Sequence, residues 1–113
     1  MYVVIVEKSI EVAKTIEDVA RQINPQARVG ILSIVSSDTT IIDGQPDFFF
    51  WAGDIHGGGT ANQMLRVFSE AFPRATHVAI SSSSNHEQMR NGCTVSCPKP
   101  FRIEDLRRIL SSR

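Results

Sequence analysis

An excess of charge of either sign is the first thing this sequence lacks. Across 113 residues, 12 Lys and Arg are balanced by 12 Asp and Glu, so the formal net charge is zero at pH 7. That balance leaves no basic stripe for a polyanion and excludes a broad electrostatic attraction to nucleic acid or to an anionic membrane. Long apolar runs are missing too. None approaches the ~20 residues a membrane helix needs, and the N-terminus carries neither the basic start nor the cleavage site of a signal peptide. The expectation is a cytoplasmic protein. Cysteine is scarce, with only Cys93 and Cys97. They stand four apart in what reads as a strand, where ~3.3 Å per residue holds them beyond disulfide reach. Buried, reduced thiols are expected.

What is present is the material of one globular domain spanning residues 1–113: 42% of residues are hydrophobic, enough for a single core at this length. Tyr2 to Val6 fits a strand, and Ile10, Val12, Ala13, Ile16, Val19, Ala20 and Ile23 recur at helical spacing before Asn24-Pro25 ends the pattern. Val29 to Val35 reads as a second strand, and the polar stretch Ser36 to Gln45 has room for at most a short helix. Phe48 to Ala52 is apolar at every position, which suits a strand covered on both faces. Met64, Leu65, Phe68 and Phe72 mark the next helix, His77 to Ser81 a strand, and Glu87 to Asn91 the end of a helix closed by Gly92. Thr94 to Cys97 is the last strand, and Ile103, Leu106, Ile109 and Leu110 line a closing helix. This alternation predicts a parallel sheet with helices on both faces.

In such sheets ligands sit beyond the carboxyl ends of the strands. The residues to watch are therefore Glu7, Lys8 and Ser9, then Ala52, Gly53 and Asp54, then Ser81 and Ser82, and finally Lys99. Other motifs read less sharply. Gly53 to Thr60, GDIHGGGT, has glycine amides that can cradle an anion but lacks the lysine and spacing of a nucleotide loop, so a flexible loop is expected and a small-ligand site is the weaker alternative. Asp54 and His56 offer two metal ligands without a third. Ser81 to Asn85 has hydroxyls but no nucleophile elbow. Phe48 to Trp51 reads as core, not as a base-stacking platform. His77 and His86 read as ordinary strand-edge and surface residues.

Four segments carry a resemblance. GCTVSCPKPF, Gly92 to Phe101, VVIVEK, Val3 to Lys8, PDFFFWA, Pro46 to Ala52, and HVAISS, His77 to Ser82, fall at the ends of four strands. Together they resemble the receiver domain of two-component response regulators, the CheY-like family, over nearly the whole chain. The resemblance implies a flavodoxin-like three-layer fold with strand order 2-1-3-4-5. It implies that Lys99 is the residue that reaches the phosphoryl group, that the Lys99–Pro100 peptide is cis, and that Ser81 is the hydroxyl switch. Ser96 stands where the family often keeps an aromatic switch. Where the family has a pair of Mg²⁺-binding acids, this chain has Glu7 then Lys8, and where it has the phosphoacceptor aspartate, this chain has Ala52.

Those departures fall in the chemistry. Phosphoryl transfer needs a carboxylate acceptor and a metal to neutralise the transferring oxygens. Ala52 offers neither, and an ammonium such as Lys8 is a donor only. Lys8 either replaces the metal electrostatically, pairing with Glu7 or Asp54, or is a solvated charge. At ~4 Å and an effective dielectric of ~20 such a pair is worth on the order of 4 kcal/mol before desolvation is subtracted. The expectation is a degenerate receiver: no enzyme activity, no cofactor, and a pocket of Glu7, Lys8, Ala52, Asp54, Ser81 and Lys99, with Lys99 a salt-bridge partner of Asp54 or Glu7. Its partners would be a histidine kinase or a downstream effector, met by the last strand and the helices flanking it, including Ser96, Arg102, Arg107 and Arg108; a homodimer is compatible with this. The alternative is a working phosphoacceptor at Asp54, brought in by a slip at Gly53, with Mg²⁺ on Glu7 and Asp54.

Overall fold

Five short apolar runs form the sheet: β1 (Tyr2–Val6), β2 (Arg28–Leu32), β3 (Phe48–Ala52), β4 (Thr76–Ile80) and β5 (Val95–Ser96). In the computed structural model the described residues are 1–33, 36–52, 58–80 and 86–112, with backbone alone for 58–60 and 86. All pairings are parallel and the strand order is β2-β1-β3-β4-β5. Among the described residues four α-helices connect or follow the strands: α1 (Ile10–Ile23), α2 (Gly58–Ala71), α3 (His86–Arg90) and α4 (Ile103–Leu110). This is the CheY-like, flavodoxin-like arrangement.

The two-residue period of the strands sorts their side chains into two apolar layers. Val3, Ile5, Phe48, Phe50, Val78 and Ile80 face Ala13, Ile16, Val19 and Ala20 of α1 and Leu106, Ile109 and Leu110 of α4. Val4, Val6, Phe49, Trp51 and Ala79 face Ala61, Met64, Leu65 and Phe68 of α2, with Phe72 beyond its end. The unbroken apolarity of β3 follows from this: Phe48, Phe49 and Phe50 are wholly buried, alternating between the layers. Each such side chain contributes roughly 1.5–3 kcal/mol by leaving water.

Local chemistry sets the ends. Ser9 caps α1 by accepting from the Val12 N–H at 3.4 Å. After α3, Gly92 takes a φ of +130°, and its backbone lies so close to Ser69 that a β-carbon would collide with it.

Three boundaries differ from the sequence reading. The second strand ends at Leu32, because β1 ends at Val6 and the Glu7 N–H onto the Leu32 carbonyl, 3.0 Å, is the last bond available to it; Ile34 and Val35 lie outside the described residues. The last strand is only Val95–Ser96, although Thr94 and Cys97 still bond to β4, and Pro98 has no N–H with which to extend it. Gly58 to Thr60 begin α2 and are not loop: the spacing of Ala61, Met64, Leu65 and Phe68 holds the helix in place despite the ~1 kcal/mol that each helical glycine costs. The polar crossover after β2 contains one 3₁₀ turn, Thr39–Ile41, capped by Asp38.

Candidate functional site

Parallel register brings the carboxyl ends of the strands into one row. Val6 pairs with Trp51, Trp51 with Ala79, and Ala79 with Ser96. One residue further on, Glu7 leaves β1 and Ala52 closes β3, and Lys99 follows β5 after a short Cys-Pro step.

Glu7 is 1% exposed. Its Oε2 accepts from Lys99 Nζ at 2.8 Å and its Oε1 accepts from the Ser9 N–H at 3.1 Å. A carboxylate taken out of water needs such partners, because a buried unpaired charge is far costlier than a buried pair. The Lys99 side chain is 16% exposed and so is largely covered where it meets Glu7. The peptide between Lys99 and Pro100 is cis. The Glu7 partner is one of the two expected for Lys99 from the sequence.

Lys8 does not act as the metal's stand-in on Glu7. Its side chain is exposed, and among the described residues the cation on Glu7 is Lys99. Strand alternation explains the difference: Lys8 follows a buried residue at a strand end and turns outward, whereas Lys99 arrives from a separate element aimed across the sheet. Ala52 is buried, with its methyl group in the layer beneath α1 and α4. Asp54, His56 and Ser81 lie outside the described residues. Of the Mg²⁺ ligands the resemblance implied, the described residues supply Glu7, whose Oε2 is already bonded to Lys99, and they contain no group of three His, Cys, Asp or Glu able to hold a metal.

A second polar site, which sequence reasoning missed, lies in the α2 layer. His77 is not a strand-edge residue: it is 4% exposed and pairs across the sheet with Phe49. Its Nδ1 accepts from Trp51 Nε1–H at 3.1 Å, and its Nε2 donates to the Phe72 carbonyl at 3.0 Å. Burial holds the ring below the usual histidine range, with the Phe72 carbonyl opposing part of that shift. Gln88, also buried, donates from Nε2 to the Trp51 carbonyl at 2.9 Å and so ties α3 to β3. The signal available was parity: His77 shares the face of Ala79, which turns it toward α2.

Cys93 and Cys97 are buried and free, as expected. Burial pushes their thiols up to about 12 and about 11, which removes them as nucleophiles. The expected partner residues are on the surface. Ser96 is exposed on β5, Arg102 precedes α4 with its N–H on the Asp105 carboxylate at 3.0 Å, Arg107 donates to Gln22 of α1 at 2.9 Å, and Arg108 pairs with Asp105 at 3.1 Å. An apolar groove lined by Val12, Thr15, Pro100 and Phe101 runs beside Lys99. No described helix is long and apolar enough to cross a membrane.

No protein-family model and no curated protein sequence matches the chain. Solved structures do. A response regulator from Thermotoga maritima superposes with a TM-score of 0.78 at 17% identity, over 96% of this chain and 92% of that one. The signal receiver domain of a DNA-binding response regulator from Colwellia psychrerythraea 34H gives 0.77 at 13% identity, over 97% and 94%. A chain described as a pilus assembly protein, CpaE, from Burkholderia thailandensis E264 gives 0.74 at 16% identity, over 97% and 94%. At such identities the likeness shows the fold, and that fold is the one found in response-regulator receiver domains.

Proposed function

We propose that this chain is an atypical receiver domain that serves two-component or phosphorelay signalling through protein contacts, without accepting a phosphoryl group. The observation that carries this reading is Ala52 at the carboxyl end of β3, directly after the residue that pairs with Val6 and beside the acid Glu7. A methyl group cannot attack phosphorus, and Glu7, the acid that a metal would need, is bonded to Lys99. The reading therefore assigns the domain no enzymatic activity and no cofactor. The likeness to response-regulator structures supports a role in the cytoplasm with a signalling protein, a histidine kinase or a downstream effector, as partner. The zero net charge speaks against nucleic acid and anionic membranes as partners.

The partner surface on this reading is α3, β5 and α4. It offers exposed guanidinium groups at Arg102, Arg107 and Arg108, the Ser96 hydroxyl, and the exposed apolar side chains of Met89 and Ile103. Mixed apolar and arginine chemistry of this kind suits a protein interface. The test is intact-mass spectrometry after incubation with acetyl phosphate and Mg²⁺. The expected result is an unmodified chain. A phosphoryl adduct that disappears in Asp54→Ala would transfer the assignment to a working acceptor at Asp54.

A further inference from the structure

His77 is held in a way that only its neutral ring satisfies. Tryptophan's indole nitrogen is a donor only, so His77 Nδ1 must accept, and the Phe72 carbonyl is an acceptor only, so Nε2 must carry the proton. The tautomer is fixed from both sides. The ring lies flat against Phe49, with centroids 5.0 Å apart and planes 10° from parallel, and beside Trp51 at 6.2 Å.

Among the described residues no carboxylate bonds the His77 ring. From β3 the ring meets Phe49 and Trp51, and from the end of α2 it meets the Phe72 carbonyl; on the β5 side the contact is the Thr94 N–H on the His77 carbonyl. Cys93, the titratable group entering this apolar layer ahead of β5, stays neutral with its thiol pushed up to about 12. Among the described charged residues of the helices on this face, Arg66, Glu70, Glu87 and Arg90 are all exposed. Asp47, just before β3 at the His77 end, accepts from the Tyr2 N–H of β1 at 2.9 Å, and Arg74 is exposed ahead of β4.

We propose that the Trp51–His77–Phe72 chain is an acid-sensitive latch on the carboxyl end of β3 and on α3. Protonation of His77 sets two N–H donors against each other across the 3.1 Å that separates Trp51 Nε1 from His77 Nδ1, so Trp51 must give way. Trp51 is also the residue whose carbonyl receives Gln88, so the same event loosens the hold of β3 on α3. The device is independent of whether Asp54 takes up a phosphoryl group.

Trp51 is the only tryptophan, so its fluorescence and its indole N–H resonance report the latch without ambiguity. The experiment follows both signals, together with the Gln88 side-chain amide, from pH 8 to pH 4.5 in the full chain with His56 and His86 replaced by Gln. The expected result is one single-proton transition below pH 6.5 that quenches Trp51 and shifts the Gln88 amide with it. In His77→Asn, whose Oδ1 keeps an acceptor near the place of Nδ1 but does not titrate, the transition is absent. In Trp51→Phe, which removes the opposing donor, the His77 ring resonance titrates at higher pH than in the parent. Flat signals in the parent, a transition that survives in His77→Asn, or a His77 titration unmoved by Trp51→Phe would each overturn the proposal.

Discussion

Glu7 and His77 are both titratable, both buried, and solved in opposite ways. Glu7 is met by a cation from 92 residues away, at 2.8 Å. His77 is held neutral, with each ring nitrogen matched to one partner of fixed polarity. A buried charge demands a counter-charge, and one so engaged is withdrawn from other chemistry; a buried neutral ring demands orientation, and its weakness is the proton. The first arrangement engages Glu7 Oε2 at the candidate site. The second makes the opposite layer of the sheet sensitive to acid.

The contrast is broken most severely at Lys99. Replacing it with Met leaves the Glu7 carboxylate buried and unpaired, and the expected loss is about 3–5 kcal/mol in urea unfolding. The double variant Glu7→Gln/Lys99→Met recovers most of that loss; if it does not, the pair is not what Lys99 contributes. His77→Phe keeps the ring volume but strands the Trp51 indole N–H and the Phe72 carbonyl, for a loss of about 1–3 kcal/mol. It also removes a pH dependence. Because the folded state lowers the His77 value, the neutral ring's contribution is fully present above the unfolded value near 6.5 and is lost as pH falls through the lower folded value. Unfolding midpoints measured across that window fall in the parent by more than in His77→Phe. Gln88→Met frees the Trp51 carbonyl and loosens α3, at about 1 kcal/mol, seen as faster amide exchange in α3 with the other helices unchanged. Smallest is Arg107→Ala, whose exposed bond to Gln22 is worth about 0.5 kcal/mol or less, so that any larger effect on partner binding reports the interface and not folding.

The layers and the helix faces were legible in the sequence because periodicity encodes burial, with Phe48 to Ala52 an inner strand and Leu106, Ile109 and Leu110 one buried helical face, whereas Ile103, grouped with them by spacing, is 41% exposed. The strand order was legible only through the resemblance to receiver domains. The Lys99 salt bridge was legible only as a choice between two acids, of which the structure describes Glu7, while Asp54 lies outside the described residues. Of the readings open for Lys8, its exposure after β1 agrees with a solvated charge and the cation on Glu7 is Lys99, while Asp54, the other partner considered, lies outside the described residues. His77 and Gln88 were missed because their partners are a side chain from the neighbouring strand and a carbonyl from another element, and neither relation is local in sequence.

The central claim is that the pocket around Lys99 does not take up a phosphoryl group. Amide NMR spectra of the labelled domain, recorded with Mg²⁺ and then with beryllofluoride and repeated on Asp54→Ala, test it directly. The expected result is spectra unchanged at Glu7, Ala52 and Lys99 at millimolar Mg²⁺, with and without beryllofluoride. Saturable shifts at those residues that vanish in Asp54→Ala would contradict it and establish a displaced, working acceptor.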